Sequence, residues 1–271
     1  MYNEINEIQA SINLEYGPLM RLGLFHLDDG DRLLIVIHHL VVDGVSWRIL
    51  FEDIETLYTQ LKHGEKPTLP PKTDSFKHWA EKLAIYSDSK TFLMEKNYWT
   101  QLESSPVHQI PRDFEGQANY VKDARSISFN LGEDETKLLL TKVNNAFGTE
   151  INDILLTMLG MGIRKTFSLA RVLIALEGHG REDILEDIDI SRTVGWFTGL
   201  FPLVLDLSYT DDTGRQLKEI KETLRKIPNK GIGYGILRYL SGVENKNGIE
   251  FKLQPQISFN YLGQFDADVN H

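Results

Sequence analysis

The 271-residue chain contains no cysteine. That excludes disulfides, thiolate nucleophiles and cysteine-ligated zinc. It also fits a reducing compartment, with the cytoplasm as the default location. No apolar run reaches the length needed to span a bilayer, and the opening MYNEINEIQA lacks the basic and apolar parts of a secretory signal. A basic patch is missing too: 29 Lys and Arg are scattered among 39 Asp and Glu, for a net charge of −10. Such a surface repels nucleic acid and anionic membrane, so neither is expected as a partner. Internal repeats and low-complexity tracts are also absent.

What remains is an ordinary globular composition, 41% hydrophobic and 25% charged, long enough for one large domain or two small ones. Ile5, Ile8 and Ile12 fall on one helical face. LMRLGLFHL and RLLIVIHHL flank DDGD and read as a hairpin. Helical period runs over 45–62, and a Pro- and Gly-bearing loop follows. Helices are expected over 75–86 and 90–102, with Phe76, Trp79, Phe92, Tyr98 and Trp99 in the core. The polar stretch 106–122 offers a boundary between lobes, dividing the chain into 1–110 and 111–271. Beyond it, ARSISFNL alternates like a strand, and helices are expected over 133–146 and 151–167. ARVLIALEGHG reads as a buried strand, 195–207 contains another, 216–225 is helical, and 255–261 forms a last strand. Mixed strands and helices without a fixed repeat place the chain in the α/β or α+β class, with two lobes.

Five segments could carry chemistry. In IVIHHLVVDGVSWRIL, His38 and His39 end an apolar run, and Asp43-Gly44 follow. A strand-end imidazole can give or take a proton near neutrality. Asp43 could orient that imidazole, or lock the turn through an arginine; a plain loop with two exposed histidines has the same pattern. In LEGHGRED, Glu177, His179, Arg181 and Glu182 crowd a strand end between glycines. A carboxylate partly desolvated there can serve as a base, although a charged surface loop reads alike. The two clusters together could suggest a metal site, but an adjacent histidine pair lacks the i, i+4 spacing of helical zinc motifs. DISRTVGWFTGLFPL brings Arg192 and two aromatics, Trp196 and Phe197, that more often belong to a core. IPNKGIGYGILRYL has glycines at 231, 233 and 235 but fits no phosphate-loop pattern. ISFNYLGQFD alternates, with Asn260 as a polar residue in an otherwise buried-looking run.

Taken together, HHLVVDGVSWRIL, DILLTMLG, EGHGRE, RTVGWFTGLFP, PNKGIGYG and FNYLGQ resemble, in order, the core motifs of the epimerization domain of nonribosomal peptide synthetases. That family belongs to the condensation-domain superfamily, and the resemblance implies a two-lobed chloramphenicol acetyltransferase-like fold. HHxxxDG is specific only to the superfamily; EGHGRE, PNKGIGYG and FNYLGQ narrow it. Members are longer, so the resemblance also implies that part of the first lobe precedes these residues and that further elements follow FNYLG. The chain reads as an internal portion of the domain.

The implied reaction inverts the α-carbon of an aminoacyl or peptidyl thioester carried on the 4'-phosphopantetheine arm of a peptidyl carrier domain. The carrier is expected upstream and a condensation domain downstream. No intrinsic cofactor is implied, because the thioester itself acidifies the α-proton. Inversion needs a proton removed from one face and delivered to the other. By resemblance Glu177 is the base, His39 the opposing donor or enolate stabiliser, and Asn260 and Tyr261 lie near the developing enolate. Asp43 is implied to pair with Arg181 and hold the histidine turn together with Gly44. His38 packs behind His39, and Arg192 is supporting. A condensation domain is the nearest rival, but it usually lacks a carboxylate at the place of Glu177. A non-catalytic docking module of the same fold tends to lose the second histidine, and here both are present.

Overall fold

A computed structural model describes residues 1–114, 120–208 and 212–263. Its described residues form two units. One comprises Met1–Tyr86, His179–Thr198 and the described residues from Leu262; the other comprises Ser87–Gly178 and Gly199–Tyr261. Neither is a continuous stretch of chain. The polar stretch 106–122 falls inside the second unit, and its residues 115–119 lie outside the described set. The units change at Tyr86/Ser87 and, inside the motifs EGHGRE, RTVGWFTGLFP and FNYLGQ, at Gly178/His179, Thr198/Gly199 and Tyr261/Leu262.

In the first unit, α1 (Tyr2–Ala10) precedes an antiparallel hairpin of β1 (Met20–Leu27) and β2 (Gly30–Ile37), paired from Met20↔Ile37 to Leu27↔Gly30. The helix seats closely: a Cβ on Gly23 would stand 2.8 Å from the Ile8 side chain. A short 3-10 turn, His39–Val41, leads to α2 (Gly44–Lys62), and α3 (Phe76–Tyr86) follows. The core here is small: Val42, Ile49, Trp79, Leu83 and Phe197. Trp79 and Phe197 meet edge to face at 4.7 Å, a favoured aromatic geometry. Phe76 joins them but keeps an edge in solvent.

The second unit is built on a three-stranded sheet. The expected helix over 90–102 is broken into α4 (Lys90–Leu93) and α5 (Lys96–Glu103), which bury Phe92 and Trp99 and half-bury Tyr98. α6 (Glu133–Leu138), a π-turn at Leu139–Val143 and α7 (Asn144–Phe147) together fill the helix expected over 133–146. Next come α8 (Ile151–Phe167), β3 (Arg171–Gly178), β4 (Gly199–Asp206), α9 (Thr213–Arg225), α10 (Ile232–Gly235) and the short β5 (Ile257–Phe259). The sheet order is β4-β3-β5, with β4 antiparallel and β5 parallel to β3. Val172, Leu173, Ile174 and Leu176 of β3 are all buried, as the continuous apolar run requires of a strand covered on both faces. α8 packs tightly on the end of β4: a Cβ on Gly160 would approach Leu207, just past the strand, to 2.6 Å and Leu205 to 3.6 Å.

ARSISFNL departs from expectation. Residues 124–131 form no strand and pair with none among the described residues, and Ile127 and Phe129 are 96% and 85% exposed. Alternation makes a strand only where a neighbour supplies backbone partners. Among the described residues no helix is long and apolar enough to cross a membrane.

Candidate active site

β2 ends at Ile37, and the backbone N–H of His38 donates to the Leu19 carbonyl at 2.8 Å. His38 Nδ1 accepts the N–H of Leu40 at 3.2 Å, which puts the proton of its neutral form on Nε2. His39 is exposed, with its ring 5.0 Å from the indole of Trp196 and tilted by 54°. Trp196, expected in the core, is 42% exposed; its neighbour Phe197 fills the core instead.

The turn after the histidines is held by Asp43, which is 2% exposed. Its Oδ1 accepts the N–H of Ser46 at 2.7 Å and so caps α2, and its Oδ2 accepts the N–H of Phe197 at 3.1 Å. Arg181 Nη2 donates to both oxygens, at 3.2 and 3.4 Å. The same nitrogen reaches Ser46 Oγ at 3.0 Å, while Nη1 donates to the carbonyls of Ile190 at 2.9 Å and Thr193 at 2.8 Å. The guanidinium carbon lies 3.9 Å from the centre of the Phe197 ring. Burial pushes Arg181 below the ordinary arginine range, and the adjacent Asp43 charge opposes that shift. Ser46, fully buried, donates to the Gly195 carbonyl at 2.9 Å and accepts the Gly195 N–H at 3.0 Å.

Gly44 corrects the reading of its motif. It has no left-handed φ, and a Cβ there would meet nothing within 4 Å. The turn is therefore fixed by the Asp43 cap rather than by glycine's freedom. Gly180 is the demanding glycine: its φ is +69°, and a Cβ would fall 1.8 Å from the Phe197 carbonyl oxygen. Arg192 stands apart from this cluster and pairs with Glu52 at 3.0 Å and with Asp53, both on α2.

Glu177 is the penultimate residue of β3, half-buried. The parallel register Ile174↔Ile257, Ala175↔Ser258 and Leu176↔Phe259, carried on by one residue, sets Asn260 beside Glu177. Asn260 Nδ2 donates to Glu177 Oε1 at 2.7 Å, a short bond to a carboxylate. Asn260 is exposed, so the polar residue in the FNYLG run is satisfied by the site and not by a core. Tyr261 follows, half-buried, and Gln264 of the motif lies outside the described residues. In the first unit His179 Nδ1 accepts the N–H of Arg181 at 3.0 Å, and its Nε2 faces Glu182 Oε1 at 3.2 Å. Among the described residues no three His, Asp or Glu side chains gather as metal ligands would.

Thus one unit brings together His39, Trp196, Asp43, Ser46 and Arg181, and the other brings together Glu177 and Asn260. Ser46 and Glu95 were not visible as site residues from sequence. Glu95, just ahead of α5, is buried, and burial holds its carboxyl above the ordinary range although hydrogen bonds from Asn229 and Trp99 oppose this. Asn229 Nδ2 donates to Glu95 Oε1 at 2.5 Å and Trp99 Nε1 to Oε2 at 3.3 Å. The carboxylate also lies against the backbone of α10, where a Cβ on Gly233 would stand 2.0 Å from Oε2. The glycines of PNKGIGYG thus accommodate a side chain of the same unit. Asn229, Lys230 and Gly231 all have left-handed φ, of 42°, 49° and 93°. Lysine costs about 1–2 kcal/mol in that region, whereas asparagine enters it more readily.

Comparison with known proteins places these features. The family model for the Condensation domain matches residues 2–271. Surfactin synthase subunit 1 of Bacillus subtilis (strain 168) is 53% identical over 264 residues, covering 97% of this chain and 7% of that protein. Gramicidin S synthase 1 of Brevibacillus brevis is 51% identical over 267 residues, covering 98% and 24%. The crystal structure of the epimerization domain from the third module of tyrocidine synthetase B matches with 49% identity and a TM-score of 0.91, covering 97% of this chain and 59% of that one. The first condensation domain of the calcium-dependent antibiotic synthetase shares the fold at 17% identity and a TM-score of 0.65. The mixed helix and sheet arrangement is that of the chloramphenicol acetyltransferase-like condensation and epimerization domains. With the family model matching almost its whole length, the chain belongs to the Condensation domain family.

Proposed function

We propose that this chain is part of an epimerization domain of a nonribosomal peptide synthetase. It inverts the α-carbon, L to D, of an aminoacyl or peptidyl thioester held on the phosphopantetheine arm of a peptidyl carrier domain. The observation that carries this reading is the bond from Asn260 to Glu177. It joins EGHGRE to FNYLG, two of the three segments whose resemblance narrows the superfamily to epimerization domains. The likeness to a solved epimerization domain, at 49% identity, supports it.

The chemistry balances with protein groups alone. The α-C–H bond breaks and its proton passes to a Glu177 oxygen; the electron pair delocalises onto the thioester carbonyl as an enolate. Reprotonation from the opposite face gives the D-configuration. His39, exposed and set beside Trp196, is the second proton-transfer or enolate-stabilising group, with Tyr261 available as a further donor. Asn260 orients the base and has a second N–H for substrate oxygen. Asp43, Arg181 and Ser46 hold the turn that presents His39, and the His38 ring accepts the backbone N–H of Leu40. The partners on this reading are an upstream carrier domain and a downstream condensation domain, in the cytoplasm.

The test uses a full-length domain carrying this sequence and a carrier domain loaded with an α-deuterated L-aminoacyl thioester. Loss of deuterium and accumulation of D-aminoacyl thioester are expected. Peptide-bond formation with the α-deuterium retained would replace this reading with condensation.

A further inference from the structure

PNKGIGYG is the motif that the proposed chemistry leaves without a task, and it holds the left-handed run at Asn229, Lys230 and Gly231. L-residues avoid that region, and such strain persists only where the surroundings over-determine it. Two glycine positions show what the turn supports. A Cβ on Gly231 would stand 2.2 Å from the ring of Phe201, so the turn lies directly against that ring. A Cβ on Gly178 would meet the same ring at 3.5 Å and the carbonyl oxygen of Lys230 at 3.6 Å. Phe201 is buried on β4 opposite Leu176. Turn and ring therefore close against the last residues of β3, immediately beside Glu177.

The anchor of the turn is Glu95. Its carboxylate is buried, accepts the side-chain amide of Asn229 at 2.5 Å and presses on Gly233 at the next turn of backbone. Trp99, which donates to the other oxygen, is fully buried and meets the ring of Phe201 edge to face at 6.4 Å. One carboxylate thus connects the strained turn to the ring that it backs.

We propose that Glu95 is a positioning residue. Through the Asn229 amide it holds the left-handed turn against Phe201 and Gly178, and thereby fixes the strand end on which Glu177 stands. The catalytic readout rests on Glu177 being the base; the structural readout does not.

Glu95→Ala and Glu95→Gln are compared in the full-length domain by turnover of a loaded carrier and by amide hydrogen exchange. Glu95→Ala is expected to lower kcat about 10- to 100-fold, the scale of a small misplacement of a reacting group, with KM for the carrier within about twofold. It also speeds exchange at 229–231 and at 176–178. Glu95→Gln, which keeps an oxygen for the Asn229 amide, restores kcat to within about threefold. If Glu95→Ala does not fold, Asn229→Gly removes the amide while taking the left-handed backbone without strain, and the same pair of changes is expected. Unchanged protection at 176–178 in whichever variant folds overturns the proposal. Loosened 176–178 amides together with normal turnover in Glu177→Gln would sink the base assignment and leave the buttress standing.

Discussion

Asp43 and Glu177 are both carboxylates at the end of an apolar strand and turn, and they are built in opposite ways. Asp43 is 2% exposed and accepts from two backbone N–H groups and an arginine, which occupies both oxygens in fixed directions. Glu177 is half-buried, and the Asn260 amide donates to one of its oxygens. A carboxylate enclosed like Asp43 cannot exchange protons with a substrate without breaking the turn. On the proposed reading, the difference separates holding a site from working in it, within two motifs that look equally charged in sequence.

Each half of that contrast can be broken separately. The largest expected effect is on Glu177: Glu177→Gln lowers α-proton exchange about 10²–10⁴-fold, the usual worth of a general base, with an unchanged melting curve. Asp43→Ala does the reverse. It leaves Arg181 buried and unpaired, destabilises by about 3–5 kcal/mol, and reduces activity in proportion to the folded fraction; denaturant melts read both. An Asp43→Ala protein that melts like the parent but has no activity would erase the distinction. Asn260→Ala removes the orienting donor and lowers kcat about tenfold, the low end for a bond to a charged group, without moving the melting temperature. Glu95 gives a pH test. Its folded-state carboxyl is raised by burial, so its stabilising contribution is full at low pH and fades as pH rises through the folded value. The stability of Glu95→Gln relative to the parent therefore improves as pH rises above about 4, the ordinary glutamate value, in melts run across pH. Arg192→Ala, which removes surface pairs to Glu52 and Asp53, leaves melting and turnover within error.

Much of the fold was legible because local rules and packing agreed. DDGD between two alternating runs forms the hairpin, the apolar run before EGHGRE is the central strand, and the helical period over 45–62 is the helix after the histidine turn. What was not legible depended on partners distant in sequence. ARSISFNL has a strand's alternation but pairs with no strand among the described residues. The glycines of PNKGIGYG fit no phosphate-loop pattern, and nothing local announces the buried Glu95, 134 residues earlier, that accepts the Asn229 amide in a left-handed turn. The site divides in the same way. Glu177 and Asn260 could be singled out by motif, but their 2.7 Å contact follows from a parallel register that neither segment encodes alone. Ser46 passed as an ordinary helix residue, since its three side-chain bonds go to Gly195 and Arg181. Trp196 and Phe197, adjacent and equally apolar, go to different fates: Phe197 packs on Trp79 and beneath Arg181, while Trp196 meets the ring of His39.

The pairing of Asp43 with Arg181 also sets a schedule. The two residues are 138 positions apart. At about 5–20 residues per second of synthesis, the cation leaves the ribosome about 7–28 seconds after the anion. For that interval the histidine turn has a helix cap but no counter-ion, and the aspartate must stay hydrated. The turn that presents His39 is therefore among the last parts of its unit to be completed, and only after the strand bearing Glu177 has been made.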